Sequence, residues 1–296
     1  MSTENSLNLL KFDLHTHTKH SDGHLTVEEL VARAHNMQVD VLAITDHDTV
    51  AGLETAHAFQ SQQKRPMHIV NGVELSTRWH GFDIHIVGLN IDIADPVFQN
   101  VIRQQHETRS ARAVRIAEKL ASAGIEGVYE RVKCAANGGQ ITRSHYAKAL
   151  VAMGAVNEPA QAFKKWLGKG KRAHVVANWI SIEQAVEAIQ RAGGKAVLAH
   201  PTHYDMTTKW LRRLIAHFDT AGGDGVELNY PNLTPEKQKL LVEITQQHGL
   251  CGSVGSDFHF PSRWTELGRR SQLPDEITPI WHDWHHDERF SQQGSA

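Results

Sequence analysis

Phe12-Asp13-Leu14-His15-Thr16-His17, followed after a short loop by Asp22, is the stretch that decides how the rest of this chain is read. If residues 12–16 form a strand, side chains alternate with period two, so Asp13, His15 and His17 leave one face while Phe12 and Leu14 leave the other. Two imidazoles then converge on one point. An H-x-H pair at a strand end can place two neutral ring nitrogens at coordination distance from a cation, about 2.0–2.2 Å, and a nearby carboxylate adds charge. In a chain with 21 histidines such a pair also arises by chance. The later segments have to decide its meaning.

At 296 residues the chain can bury a substantial core, enough for one large α/β domain or for a domain carrying an insertion. The formal net charge of -2 gives no global positive field for nucleic acid, so phosphate recognition must come from local Lys and Arg clusters. No apolar run is long enough to span a bilayer, and residues 1–6 lack the basic and apolar blocks of a secretion signal, so no membrane association and a cytoplasmic location are expected. Cys134 and Cys251 are the only cysteines. That excludes a Cys-rich zinc site and leaves any metal to His and carboxylate.

Thr26 with Glu29 three residues on forms a capping-box pattern, and Val27, Leu30, Val31 and Ala34 make the apolar stripe of a helix ending near Asn36. Residues 39–44 are an apolar run too short for a helix, bounded by Thr45-Asp46-His47-Asp48, and read as a buried parallel strand. A helix over 50–62, a strand over 67–70 ending in Asn71-Gly72-Val73-Glu74, and a strand at Asp83-Ile84-His85-Ile86-Val87-Gly88 follow. This strand and helix rhythm, with polar residues after each strand, is that of a parallel α/β barrel or open sheet whose sites lie at strand C-termini. From about 96 to 180 the pattern turns helical (97–120, 144–153 and 160–167) and basic, which predicts an insertion capping the site. Residues 1–95 and 181–296 then form the main domain. Its later elements are a helix from Ser181 to Arg191, strands at 194–199, 225–228 and 251–255, and helices at 209–218 and 235–248. His282, His285 and His286 have no strand-end context and are assigned no site role.

Strand ends deliver His15, His17, His47, Glu74, His85, His200, Asp257 and His259, and Asp22 adds a loop carboxylate. Each alone is weak; gathered at one rim they exceed what one cation needs, and holding so many ionisable groups together without cations would cost several kcal/mol. Two or three metal ions are expected. Asp13 and Asp46 are candidates for orienting the ligand imidazoles, Asp48 for a lesser role, and His203 for donating to a phosphate oxygen or leaving group.

Asp13-Leu14-His15-Thr16-His17, Ile44-Thr45-Asp46-His47-Asp48, Gly72-Val73-Glu74, Ala199-His200-Pro201 and Gly255-Ser256-Asp257-Phe258-His259 resemble, in order, the motifs of the PHP (polymerase and histidinol phosphatase) metallophosphoesterases. Ile141-Thr142-Arg143-Ser144-His145 and Phe163-Lys164-Lys165-Trp166-Leu167 resemble the branch acting on nucleoside 3′,5′-bisphosphates and RNA 5′ ends. The resemblance implies a distorted seven-stranded (β/α)7 TIM-like barrel and a three-metal site, often manganese-loaded. It places His15, His17, Glu74 and Asp257 on a first metal, Glu74 bridging to a second held by His85 and His200, and Asp22, His47 and His259 on a third. The family sometimes has His at the Asp22 position; Asp favours Mn²⁺, Fe²⁺ or Mg²⁺ over zinc there.

The expected activity is removal of the 3′-phosphate from nucleoside 3′,5′-bisphosphates and 5′-to-3′ trimming of short single-stranded RNA, with no obligate protein partner. One logic serves both: a 5′-phosphate anchors the substrate while the ester at the 3′ oxygen is cut. Arg143 is the first candidate for that anchor, with Lys164, Lys171, Arg109 and Arg112 behind it, and Tyr146 or Trp166 for base stacking. The alternatives are histidinol-phosphate or another small phosphomonoester as substrate, C–N hydrolysis on the same metals, and a silent metal- or nucleotide-binding regulatory domain.

Overall fold

The computed structural model describes residues 10–284, so residues 1–6, His285 and His286 lie outside the described part. Seven strands follow in sequence order: β1 (Phe12–Asp13), β2 (Val41–Ile44), β3 (His68–Trp79), β4 (Phe82–Leu89), β5 (Lys195–Leu198), β6 (Gly225–Asn229) and β7 (Cys251–Val254). From the last residue of β7 onward, Leu14 N donates to Val254 O and His17 N to Phe258 O, at 3.2 and 2.9 Å, nearly closing the sheet into a barrel. Phe12, Leu14, Val41, Ala43, Val70, Val87, Leu89, Val197 and Val254 pack on one another inside it, plugged by Trp281 and Trp284. Phe12 stacks on Trp281 with centroids 4.1 Å apart.

Around the barrel stand α1 (Val27–Asn36), α2 (Leu53–Gln60), α7 (Ile182–Arg191), α8 (Thr208–Thr220) and α9 (Pro235–Gln247). Thr26 and Ser181 each close a capping box at the first and third of these, satisfying amides the helix itself cannot. The segment between β4 and α7 holds α3 (Pro96–Ala121), α4 (Val128–Ala136), α5 (Arg143–Ala152), α6 (Pro159–Ala162) and a π-helical turn at Phe163–Leu167. Phe98 of α3 packs with the barrel, whereas Ala113, Ile116 and Leu120 pack with α4 and α5 in a cluster of their own. α3 therefore carries the chain from one core to the other.

The sheet is mixed, not parallel throughout. β3 runs on past Glu74 to Trp79 and pairs antiparallel with β4 through a two-residue turn, His80 and Gly81, both at positive φ (44° and 82°), the left-handed pair that a tight hairpin requires. β4 is also antiparallel to β5. Gly72, expected to mark a strand end, sits inside β3 because a Cβ there would lie 2.9 Å from Ile44 O and 2.7 Å from a Thr45 methyl.

Candidate metal centre

Counting along β3 by twos from the interior residue Val70 leads through Gly72 to Glu74, and along β4 from Leu89 through Val87 to His85. The barrel interior thus turns from apolar to ionisable at one end. Because β4 is antiparallel, its first half lies where its parallel neighbours finish, which is why mid-strand His85 joins the strand-end residues. His47 follows β2 and pairs in parallel with Glu74. His200 and Asp257 follow β5 and β7 in left-handed backbone (φ 29° and 47°), a conformation costing on the order of 1 kcal/mol or more for a residue with a Cβ. Gly255 lets this loop approach β1, since a Cβ there would meet His15 Cβ at 2.3 Å.

All nine expected residues come together, in four overlapping groups: His17, Asp22, His47 and His259; His15, His17 and Asp257; His15, Glu74 and His200; His47, Glu74 and His85. Glu74 divides the imidazoles between its oxygens. Oε1 faces His85 Nδ1 and His200 Nε2 at 2.7 and 3.0 Å, while Oε2 faces His47 Nδ1 at 2.8 Å and Nε2 of His15 and His17 at 3.4 Å each. Asp22 Oδ1 lies 3.2 Å from His259 Nε2 and 3.7 Å from His47 Nε2.

Glu74 Oε1 is hydrogen-bonded to His85 Nδ1 and His200 Nε2, but other atoms of the cluster are close without such a bond. Glu74 Oε2, Asp22 Oδ1, His47 Nδ1 and His200 Nδ1 are buried with no aligned partner, and Nε2 of His15 and His17 stand 3.1 Å apart. Orphaned buried polar atoms are rare; donors crowded about shared points suit cations, and an imidazole and carboxylate set without thiolate suits divalent ions of borderline to hard character.

Charge within the cluster is mutually compensating. Burial opposes ionisation, yet Asp22 and Asp257 hold the His259 ring up at about 10, and Glu227 with Glu74 hold His15 well above the ordinary histidine value. Conversely His259 and His47 hold the Asp22 carboxyl down against the effect of burial, as His47, His85 and His15 do for Glu74. His17 is pushed down to about 4 by burial and by its neighbour His259.

Glu227 was not anticipated. Buried on β6, it accepts from His15 Nδ1 at 2.7 Å and from the His200 amide at 2.6 Å. It thereby fixes the His15 proton on Nδ1 and turns Nε2 toward the cluster. The sequence did hold a signal: Gly-Val-Glu-Leu occurs at both 72–75 and 225–228.

Asp13 and Asp46 differ from expectation, for neither touches an imidazole. Asp13 accepts from the amides of Ser256 and Gly268 at 2.9 and 2.8 Å, and burial raises its pKa to about 6. Phe12 and Leu14 share the interior cluster, and Asp13, between them, bonds the loop after β7 and not His15. Asp46 accepts from Thr18 N, Thr18 Oγ1 and Ser21 Oγ at 2.7, 2.6 and 2.5 Å, and reaches His17 Nδ1 only through the Ser21 hydroxyl, 3.5 Å away. Both carboxylates pin loops that carry the clustered residues. His203 stacks on His200 and meets the Pro231 carbonyl through Nε2 at 2.9 Å. A carbonyl only accepts, so the His203 proton sits on Nε2 and Nδ1 of the neutral ring is an acceptor. His282 lies apart, against Pro279 O.

The cluster opens into a cavity of about 250 Å³ whose far wall carries Arg109, Arg112 and Arg143. Arg109 is held by the buried Asp48 carboxylate and by Ser76 Oγ, and lies over Trp179 with Arg112 beside it. Arg112 shares Asp83 with Arg78, at 3.4 and 2.5 Å; burial and the Arg143 charge both press its pKa down. Arg143 rests over Phe163 and makes no side-chain ion pair among the described residues. Four guanidiniums thus face two carboxylates. Lys164 and Lys171 are exposed and do not line this cavity, and Tyr146 is wholly buried with its hydroxyl on Ala113 O. Trp166 packs against the insertion's core, and Phe163 and Trp179 present the aromatic surface at the cavity instead.

The family model described as PHP domain matches residues 13–195. The "5'-3' exoribonuclease Rnm" of Salmonella typhimurium is 47% identical over 92% of this chain and 93% of its own length. The "3',5'-nucleoside bisphosphate phosphatase" of Chromobacterium violaceum is 38% identical over 93% of this chain and 96% of its own. A solved structure described as an amidohydrolase from Chromobacterium violaceum, with bound sulfate and no metal, superposes with TM-score 0.86 at 38% identity, covering 93% of this chain and 96% of that one.

Proposed function

This chain belongs to the PHP domain family, and from that premise we propose that it is a metal-dependent phosphoesterase that removes the 3′-phosphate of nucleoside 3′,5′-bisphosphates and degrades short single-stranded RNA from its 5′ end. The observation that carries the reading is the meeting of two sets of groups in one cavity: seven of the nine clustered imidazole and carboxylate residues line it, and so do the guanidiniums of Arg109, Arg112 and Arg143. An amide bond would give those guanidiniums nothing to hold.

In this reading His15, His17, Glu74 and Asp257 would hold one cation, Glu74 would also serve a second with His85 and His200, and Asp22, His47 and His259 would hold a third. The division of imidazoles between the two Glu74 oxygens supports this double role. Manganese is the favoured occupant, with iron, magnesium and zinc as competitors. Bound there, divalent cations would supply an acidified water and charge to offset the non-bridging phosphate oxygens.

The protein's own groups do the rest. Glu227 keeps His15 in the tautomer that presents Nε2. Asp13 and Asp46 fix the loops that carry Asp257 and His17. Arg143, the guanidinium without an ion pair, receives the 5′-phosphate, with Arg112 and the Asp48-anchored Arg109 supplying further charge. His203, with Nδ1 free to accept, orients a hydroxyl or a water at the cavity mouth. Among the described residues no helix is long and apolar enough to cross a membrane, and the cytoplasm is the location proposed for such an enzyme.

The deciding experiment is phosphate release from adenosine 3′,5′-bisphosphate by manganese-loaded protein, compared with adenosine 3′-monophosphate and histidinol phosphate. The bisphosphate is expected to have the highest kcat/KM. Equal rates on all three substrates would remove the reason for the arginine wall.

A further inference from the structure

The loop that follows His259 carries two aromatic rings into solvent. Phe260 is 48% and Trp264 72% exposed, the two exposed Phe, Tyr or Trp side chains among the described residues. The loop is held firmly beneath them. Ser262 Oγ accepts from the amides of Trp264 and Thr265 at 3.2 and 2.9 Å, and Arg269 donates to Arg263 O at 2.9 Å. Glu266 takes two bonds from Arg33, and Gly268 N is fixed on Asp13. A fixed loop that spends its aromatic rings on water, with Arg263 lying 5.2 Å over the Trp264 ring, has the composition of a surface for stacking bases beside phosphates.

Its position gives it an occupant. His259 O accepts from the His24 amide at 2.7 Å, and the His24 ring stacks on Phe260 with centroids 5.0 Å apart. Lys148 reaches over to Asp22 O, and Lys19 and Lys148 line the neighbouring groove with His24. Cations and rings therefore continue outward from the Asp22 and His259 edge of the cluster. A nucleotide whose 5′-phosphate sits on that wall and whose 3′ ester lies over the cluster sends the rest of its chain past this edge.

We propose that His24, Phe260, Arg263 and Trp264 form a stacking platform for the RNA nucleotides 3′ of the scissile phosphate. The proposal rests on the phosphoesterase reading and adds to it the element that favours RNA over a mononucleotide, which has no chain to lay there.

The test compares Trp264→Ala and Phe260→Ala with the wild-type protein, manganese-loaded, on a 5′-phosphorylated RNA pentamer and on adenosine 3′,5′-bisphosphate. Loss of one stacked base corresponds to about a 5- to 150-fold effect. The ratio of kcat/KM for the pentamer to that for the bisphosphate is expected to fall by that factor, mainly through KM, and Phe260→Trp is expected to restore it. An unchanged ratio in both alanine variants overturns the platform, as does a shift in sedimentation from dimer to monomer without a change in ratio, which would make this face a contact between copies. If wild-type protein cuts neither substrate, the phosphoesterase reading itself falls; if it cuts both and the ratio stays fixed, only the platform does.

Discussion

Replacing Glu227 by glutamine removes one charge and almost no volume, so it isolates what this carboxylate does. Its two oxygens accept two hydrogen bonds at once, from His15 Nδ1 at 2.7 Å and from the His200 amide at 2.6 Å. Glutamine has one acceptor oxygen. If that oxygen keeps the His200 amide, the NH2 group meets His15 Nδ1 and drives the ring proton to Nε2, the nitrogen that faces Glu74 and Asp257 at 3.4 and 3.7 Å. If it keeps His15 instead, NH2 abuts N–H at a buried site, a mismatch of about 1–3 kcal/mol. Either orientation damages the same region, and loss of the group that orients a metal-binding histidine typically weakens metal affinity about 10- to 100-fold, or about 1.4–2.7 kcal/mol. Competition titration of Mn²⁺ between chelator-stripped protein and a chromophoric chelator measures this directly, with circular dichroism to verify the fold. Affinity within twofold of wild type in a folded Glu227→Gln protein would refute the tautomer argument.

Three other outcomes follow from the same geometry. Neighbouring carboxylates raise His15, His47 and His200 above the ordinary histidine value and hold His259 at about 10, so a cation bound there competes with protons. Mn²⁺ binding at pH 7 is therefore expected to release protons and to weaken as pH falls; binding heats independent of buffer ionisation enthalpy would contradict this. Arg143→Ala should lower kcat/KM for adenosine 3′,5′-bisphosphate by about 10- to 150-fold, one charged hydrogen bond or slightly more. It should scarcely change that for adenosine 3′-monophosphate, and equal losses on both would place Arg143 elsewhere in the reaction. Asp48→Asn strands the buried Arg109 guanidinium, at a cost of roughly 3–5 kcal/mol; urea denaturation giving less than 1 kcal/mol would show that Ser76 and Trp179 suffice to hold it.

Most of the clustered side chains were legible because they follow an apolar run that ends in polar residues; Asp22, in a loop, and His85, inside β4, carry no such mark. The parallel reading of β3 and β4 was wrong, since Asn71-Gly72 looks like a strand end when its glycine is there for close packing against β2. A parallel β4 would have carried His85, in the first half of the strand, to the opposite rim; it joins the cluster because the strand is reversed, which brings that first half to the end where β2, β5 and β7 finish. What one stretch could not disclose was partnership across the barrel. Asp13 shares a sequence motif with His15 but bonds residues 256 and 268, whereas the carboxylate that does orient His15 lies 212 positions away, at Glu227. A motif reports which residue types meet a site. Which oxygen orients which ring depends on what the neighbouring strands bring opposite it: Asp13 meets the amides of residues 256 and 268, and His15 meets Glu227 of β6. Substituting Asp13 should therefore disturb the Ser256 and Gly268 loop before it disturbs the His15 tautomer, while Glu227 should do the reverse, so the two carboxylates are separable although both act behind the same imidazole.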